Sequence, residues 1–180
     1  VGKVLGKIGK YGCLLPLVVI GALVVLVVII VLIAASGHSS APTPDVHAPL
    51  ASGSSAVVTT AADKQHKVTI TQIQENATST NQFEQPPSGQ RYYVLTVVVE
   101  NPGKHEISLG DWKLRTADGS EYDDTIVSGL GTPLSSFMSL TPGGKTQGIV
   151  VFTIPETAQV QWIRYDPNPF ANGDLYFDAR

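Results

Sequence analysis

Asp111, Asp118, Glu121, Asp123 and Asp124 form the one dense acidic cluster of the sequence. Calcium takes several oxygen ligands from flexible loops, so Asp118, Glu121, Asp123 and Asp124, on and around an expected Asp118-Gly119 hairpin, are the candidate ligands of a weak calcium site. The plainer account, a solvated acidic turn, is preferred. His105-Glu106 opens like a zinc-protease motif, but Leu109 stands where the second histidine is needed. Gly143-Gly144-Lys145-Thr146 looks like the end of a phosphate-binding loop. That pattern needs a glycine where Ser139 stands, and a helix where a strand is expected, so a hairpin turn is the expectation. His38 and His47 lie far from any cysteine, and Ser135-Ser136 has neither a nucleophile elbow nor an arranged histidine. No catalytic residue is assigned, no cofactor beyond the weak calcium is implied, and catalysis is not expected. Asn76-Ala77-Thr78 matches a glycosylation triplet, a pattern short enough to arise by chance.

Chemistry of any kind here has to be positioned by strands. Residues 67–72 alternate apolar and polar, and 91–99 form a β-branched and aromatic run bounded by Gly89 and by Asn101-Pro102-Gly103. Shorter candidates are 105–109, 112–116 and 120–122, with Asp118-Gly119 as the turn between the last two. The signal then fades, and 123–140 reads as a long connection. Thr141-Pro142-Gly143-Gly144 is turn chemistry, because proline presets the first corner and glycine accepts positive φ at the second. It feeds a strand over 146–154, and 159–165 and 175–177 supply the last two. About seven short strands without helical periodicity predict an all-β fold, a β-sandwich. Trp112, Trp162, Tyr92, Tyr93, Tyr165 and Tyr176 are mostly expected in its core. A set of them on one exposed face would make a sugar or protein platform, but a one-residue slip of register inverts the faces.

Of the 180 residues, 14–35 carry no charge and are almost purely aliphatic over 17–33. A hydrocarbon core of about 30 Å needs about 20 helical residues, so 14–35 is expected to be a transmembrane helix. β-Branched side chains favour strands in water, but a lone span in lipid must satisfy its backbone hydrogen bonds internally, which selects helix. Lys3, Lys7 and Lys10 precede the span, and the next basic residue is Lys64, so 1–13 is expected to be cytoplasmic and the rest exported. A cleaved signal peptide is the competing account and would release the same domain. The run is longer than an ordinary signal h-region, which favours the uncleaved anchor.

Cys13, the one cysteine, precedes the apolar run, so it is in the wrong order for a lipobox, and the exported part can form no disulfide. Of the 12 basic residues nine lie after the span, against all 15 acidic ones, a net charge that disfavours nucleic acid as a partner. Residues 36–62 are rich in Ser, Ala, Pro, Thr and Gly and are expected to be a disordered linker, leaving 63–180 as the domain. Removal of everything before about Ala56 is therefore expected to leave the fold intact.

The order Arg91-Tyr92-Tyr93-Val94-Leu95-Thr96-Val97-Val98-Val99-Glu100-Asn101, Trp112-Lys113-Leu114, Asp118-Gly119, Leu140-Thr141-Pro142-Gly143-Gly144 and Gly148-Ile149-Val150-Val151-Phe152-Thr153-Ile154-Pro155 resembles the bacterial telokin-like domains of unknown function. These are similar to the mycobacterial immunoprotective extracellular protein. The resemblance covers residues 64–178 and implies an immunoglobulin-like sandwich outside the membrane, with no catalytic residues to carry over. The chain departs from lipoprotein members in lacking a lipobox. The expected function is a membrane-anchored binding module of the bacterial cell envelope, single-pass with its N-terminus cytoplasmic, contacting an envelope protein or a cell-wall glycan. A calcium or ligand sensor built on the acidic hairpin is the alternative, and an enzyme the third account.

Overall fold

The computed structural model describes residues 49–168 and 173–179. The expected cytoplasmic segment 1–13, the expected span 14–35 and the first part of the expected linker, 36–48, lie outside the described residues. Among the described residues no helix is long and apolar enough to cross a membrane.

Ten strands are described: β1 Ser55–Thr59, β2 Gln65–Ala77, β3 Gln90–Glu100, β4 Ile107–Ser108, β5 Asp111–Thr116, β6 Glu121–Thr125, β7 Ser139–Leu140, β8 Lys145–Pro155, β9 Val160–Asp166 and β10 Leu175–Asp178. Those with clear period-two patterning appear where expected. Three expectations change. The expected boundary at residue 62 falls inside the sandwich, because β1 pairs with β2 from Ser55↔Thr69 to Thr59↔Gln65. The short strand expected over 105–109 shrinks to Ile107–Ser108, paired with Ser139–Leu140. The long connection over 123–140 is structured: β6 runs on to Thr125, a 3-10 turn spans Ser128–Leu130, and β7 ends it.

Strand order is β1-β2-β3-β8-β6-β5-β9-β10, with β4-β7 apart. β6 changes partner along its length. Asp123, Tyr122 and Glu121 pair with β5, whereas Asp124 and Thr125 pair with Phe152 and Val151 of β8. The order thus folds into two layers, β1-β2-β3-β8 and β6-β5-β9-β10, joined at one edge through β6. Their facing residues make one core: Ile70, Tyr93, Leu95 and Phe152 from the first layer, Trp112, Leu114, Ile163, Tyr165 and Phe177 from the second. At the other edge the Leu50 amide donates to the Tyr176 carbonyl at 2.9 Å, and the Leu50 carbonyl accepts from Asp178. The chain then turns into β1, so the last strand of one layer is tied to the first of the other, and the β10 edge is covered.

The run 92–95 is buried on both faces. Tyr93 and Leu95 point into the main core, while Tyr92 and Val94 belong to a second apolar cluster with Ala77, Val127 and Val151. The segment after β6 makes that cover: the Thr132 carbonyl accepts from the Ile149 amide at 2.9 Å, and the Leu134 amide donates to the Ile149 carbonyl at 2.9 Å. Gly148 permits the approach, since a Cβ there would stand 2.7 Å from the Thr132 oxygen and 2.9 Å from the Leu134 Cγ.

Candidate functional site

The four candidate calcium ligands are dispersed rather than gathered. The Asp118 Oδ1 accepts from the Thr116 hydroxyl at 2.6 Å and from the Ser120 amide at 3.0 Å, bonds internal to the turn that hold its carboxyl below the usual range, the Thr116 bond most. Glu121 pairs with Arg115 at 3.3 Å, and Asp123 pairs with Lys113 at 2.6 Å. Asp124, one residue on, projects from the opposite face of the strand; the residue is exposed, but partial desolvation of its carboxyl, then Asp111 and Asp123, push its pKa up. Among the described residues no three His, Cys, Asp or Glu side chains are placed together to hold a metal ion. The Gly143-Gly144-Lys145-Thr146 stretch enters β8 through a tight turn, with Gly143 at φ 75° and the Gly144 amide donating to the Thr141 carbonyl, but it is not the expected hairpin, because β7 pairs with β4 whereas β8 pairs with β3 and β6.

The aromatic residues divide by face. Trp112, Tyr93 and Tyr165 lie in the main core, and Tyr92 lies beneath the loops on the outer face of the first layer. Trp162 and Tyr176 meet edge-on at 5.2 Å on the outer face of the second layer, with the Arg115 guanidinium 5.7 Å over the Trp162 ring.

A cleft of 350 Å³ opens at the end of the sandwich where β2 and β5 begin and β9 ends. The β1–β2 turn brings Lys64, β2 brings His66, the β4–β5 junction brings Ser108 and Asp111, and the turn before β7 brings Ser136 and Phe137. His66 is 2% exposed. Its Nδ1 lies 2.9 Å from the Tyr165 hydroxyl, which also accepts the Gly110 amide proton at 2.9 Å. The Tyr165 hydroxyl thus ties the His66 ring to the Gly110 backbone and leaves Nε2 as the second polar atom of the imidazole. Burial, with the Lys64 ammonium adding to it, pushes the His66 pKa down to about 4. At neutral pH this side chain is therefore uncharged, with one ring nitrogen a hydrogen-bond donor and the other an acceptor. Trp112 packs on Tyr165 with ring centroids 4.8 Å apart and holds the phenol in place. Gly110 is required by close approach: any Cβ there would collide with the backbone of Asp166 and Pro167.

This constellation was not legible in the sequence. His66 and Tyr165 are 99 positions apart, and a histidine at the head of an alternating strand carries no mark of its partner.

The model of the family described as Domain of unknown function (DUF4352) matches residues 55–175. No curated protein matches the chain. Among solved structures, the chain is similar to MPT63, a secreted protein from Mycobacterium tuberculosis, at 14% identity and a TM-score of 0.53, covering 72% of this chain and 97% of that one. It is also similar to the yjhA protein from Bacillus subtilis, at 16% identity and a TM-score of 0.52, covering 73% of this chain and 99% of that one. At these identities the likeness is one of fold, and the fold is a β-sandwich.

Proposed function

The chain belongs to the family described as Domain of unknown function (DUF4352), and from that premise we propose that it is an extracytoplasmic binding module of the bacterial envelope, anchored by the apolar segment 14–35 and not catalytic. The observation that carries the binding role is the cleft at the end of the sandwich, whose His66 side chain is fixed by Tyr165 and Gly110 before any ligand arrives. Pre-organised polar groups in a concave site are what recognition requires. A base working at neutral pH needs a pKa near the working pH, and an imidazole held near 4 suits hydrogen bonding better than proton abstraction. The uncharged run 14–35, preceded by Lys3, Lys7 and Lys10, supports the anchor and its orientation. MPT63 is itself described as a secreted protein.

A photo-crosslinking amino acid at Ser136, on the cleft, and another at exposed Gln161, at the opposite end of β9, test the proposal in bacterial cells expressing the full chain. Saturable crosslinking to an envelope component from position 136 and not from 161 is expected. Equal or absent crosslinking from both would remove the cleft as the binding surface. Protease digestion of spheroplasts checks the address, with loss of the sandwich and protection of Cys13 as the expected result.

A further inference from the structure

We infer that the cleft recognises carbohydrate, taking a sugar ring with its CH face on Phe137 and its hydroxyls on His66 and Asp111; this deepens the binding-module reading and rests on it. Phe137 is 97% exposed although it lines the cleft. It stands at the tip of a turn whose geometry is set: the Phe137 amide donates to the Ser135 hydroxyl at 3.2 Å, the Met138 amide to the Ser135 carbonyl at 3.0 Å, and the Leu109 amide to the Met138 carbonyl at 2.8 Å. An aromatic ring held in solvent at the rim of the hollow forgoes burial that a bound apolar face would supply.

The rest of the lining narrows the ligand class. The His66 imidazole brings a polar ring nitrogen, the Asp111 carboxylate is an acceptor, and Ser108 and Ser136 are both donors and acceptors. Sugar hydroxyls donate and accept alike, and so match such a mixed lining. A phosphate or carboxylate would meet the Asp111 charge, and a cation would meet that of Lys64. The volume of 350 Å³ suits a small ligand or the end of a longer chain.

The test uses the full chain in a zwitterionic, sugar-free detergent, with imidazole ¹⁵N resonances followed by NMR. Maltotriose and N-acetylchitotriose are the solution probes, backed by an array of bacterial envelope oligosaccharides, with acetate and trialanine as contrasts. Saturable binding of an oligosaccharide that moves the His66 resonances is expected. Phe137→Ala should weaken it at least tenfold and Phe137→Trp should retain it. Because Phe137 is almost wholly exposed, its removal spares the core. Silence across every saccharide, or an affinity indifferent to Phe137→Ala, would overturn the inference. Saturation by acetate or trialanine with the sugars silent would overturn the carbohydrate class alone and leave the binding module standing. Failure of the module itself would show as no preference for position 136 in the crosslinking experiment.

Discussion

His66 links the site to stability through its proton. Its folded pKa of about 4 lies below the value of about 6.5 expected for an exposed histidine, so the unfolded chain binds a proton that the folded one refuses between those limits. The contribution is complete above about pH 6.5 and is lost as pH falls towards 4, amounting to about 3 kcal/mol. Urea unfolding at a series of pH values should show that slope, and His66→Gln should flatten it. Asn101 is the other residue with a disproportionate role. It is 1% exposed, and its Nδ2 donates to the His105 carbonyl at 2.9 Å and the Leu140 carbonyl at 2.8 Å, while its Oδ1 accepts from the Gly103 amide at 3.0 Å. One side chain thus ties the end of β3 to the β3–β4 loop and to β7. Asn101→Ala removes three side-chain hydrogen bonds from a buried site at once and should cost about 2–3 kcal/mol in chemical denaturation. The sequence marks Asn101-Pro102-Gly103 as a strand end. It gives no sign of Leu140, because that contact is made through space.

At the scale of elements, the segment between β6 and β7 has the most to say. Residues 132–134 lie along β8 beyond the point where β6 departs, with Pro133 bridging Ile149 in parallel, and Val127 and Leu130 cover Tyr92 and Val94. The Glu84 carboxylate accepts from the Ser128 hydroxyl and the Gly129 amide, each at 2.8 Å, which binds the β2–β3 loop into the same cover. Gly148→Ala should push the segment off β8 at a cost of about 1–3 kcal/mol. Hydrogen exchange should quicken at the Ile149 and Leu134 amides while those of β5 and β9 stay protected. A uniform loss of protection would mean that the cover and the core unfold as one. Nothing in 126–134 alternates, so periodicity could not reveal this element; its conformation is set by the surface beneath it. β1 is legible only as an open choice, with Val57-Val58 either beginning the domain or belonging to the tether, because Ser55–Thr59 is short and sits among the small polar residues that mark a tether.

For the whole molecule, the tie between the layers at Leu50 decides where the domain begins. A chain starting at Pro49 keeps both Leu50 backbone bonds to β10, whereas one starting at Ala56 loses them together with the Leu50 side chain packed on the core. Both are expected to melt cooperatively, the shorter several degrees lower by calorimetry; equal melting temperatures would show the tie to be without consequence. The all-β class, the principal strands, the turns at Asp118-Gly119 and Pro142-Gly143, and the family resemblance were all determined by the sequence alone. Alternation and turn chemistry are local properties, written in neighbouring residues. Which face of each strand is buried, which strand β6 leaves and which it joins, and the meeting of His66, Gly110 and Tyr165 were decided only by the tertiary structure. Those depend on register and on contacts between residues far apart in the chain, where a shift of one position exchanges the inside for the outside.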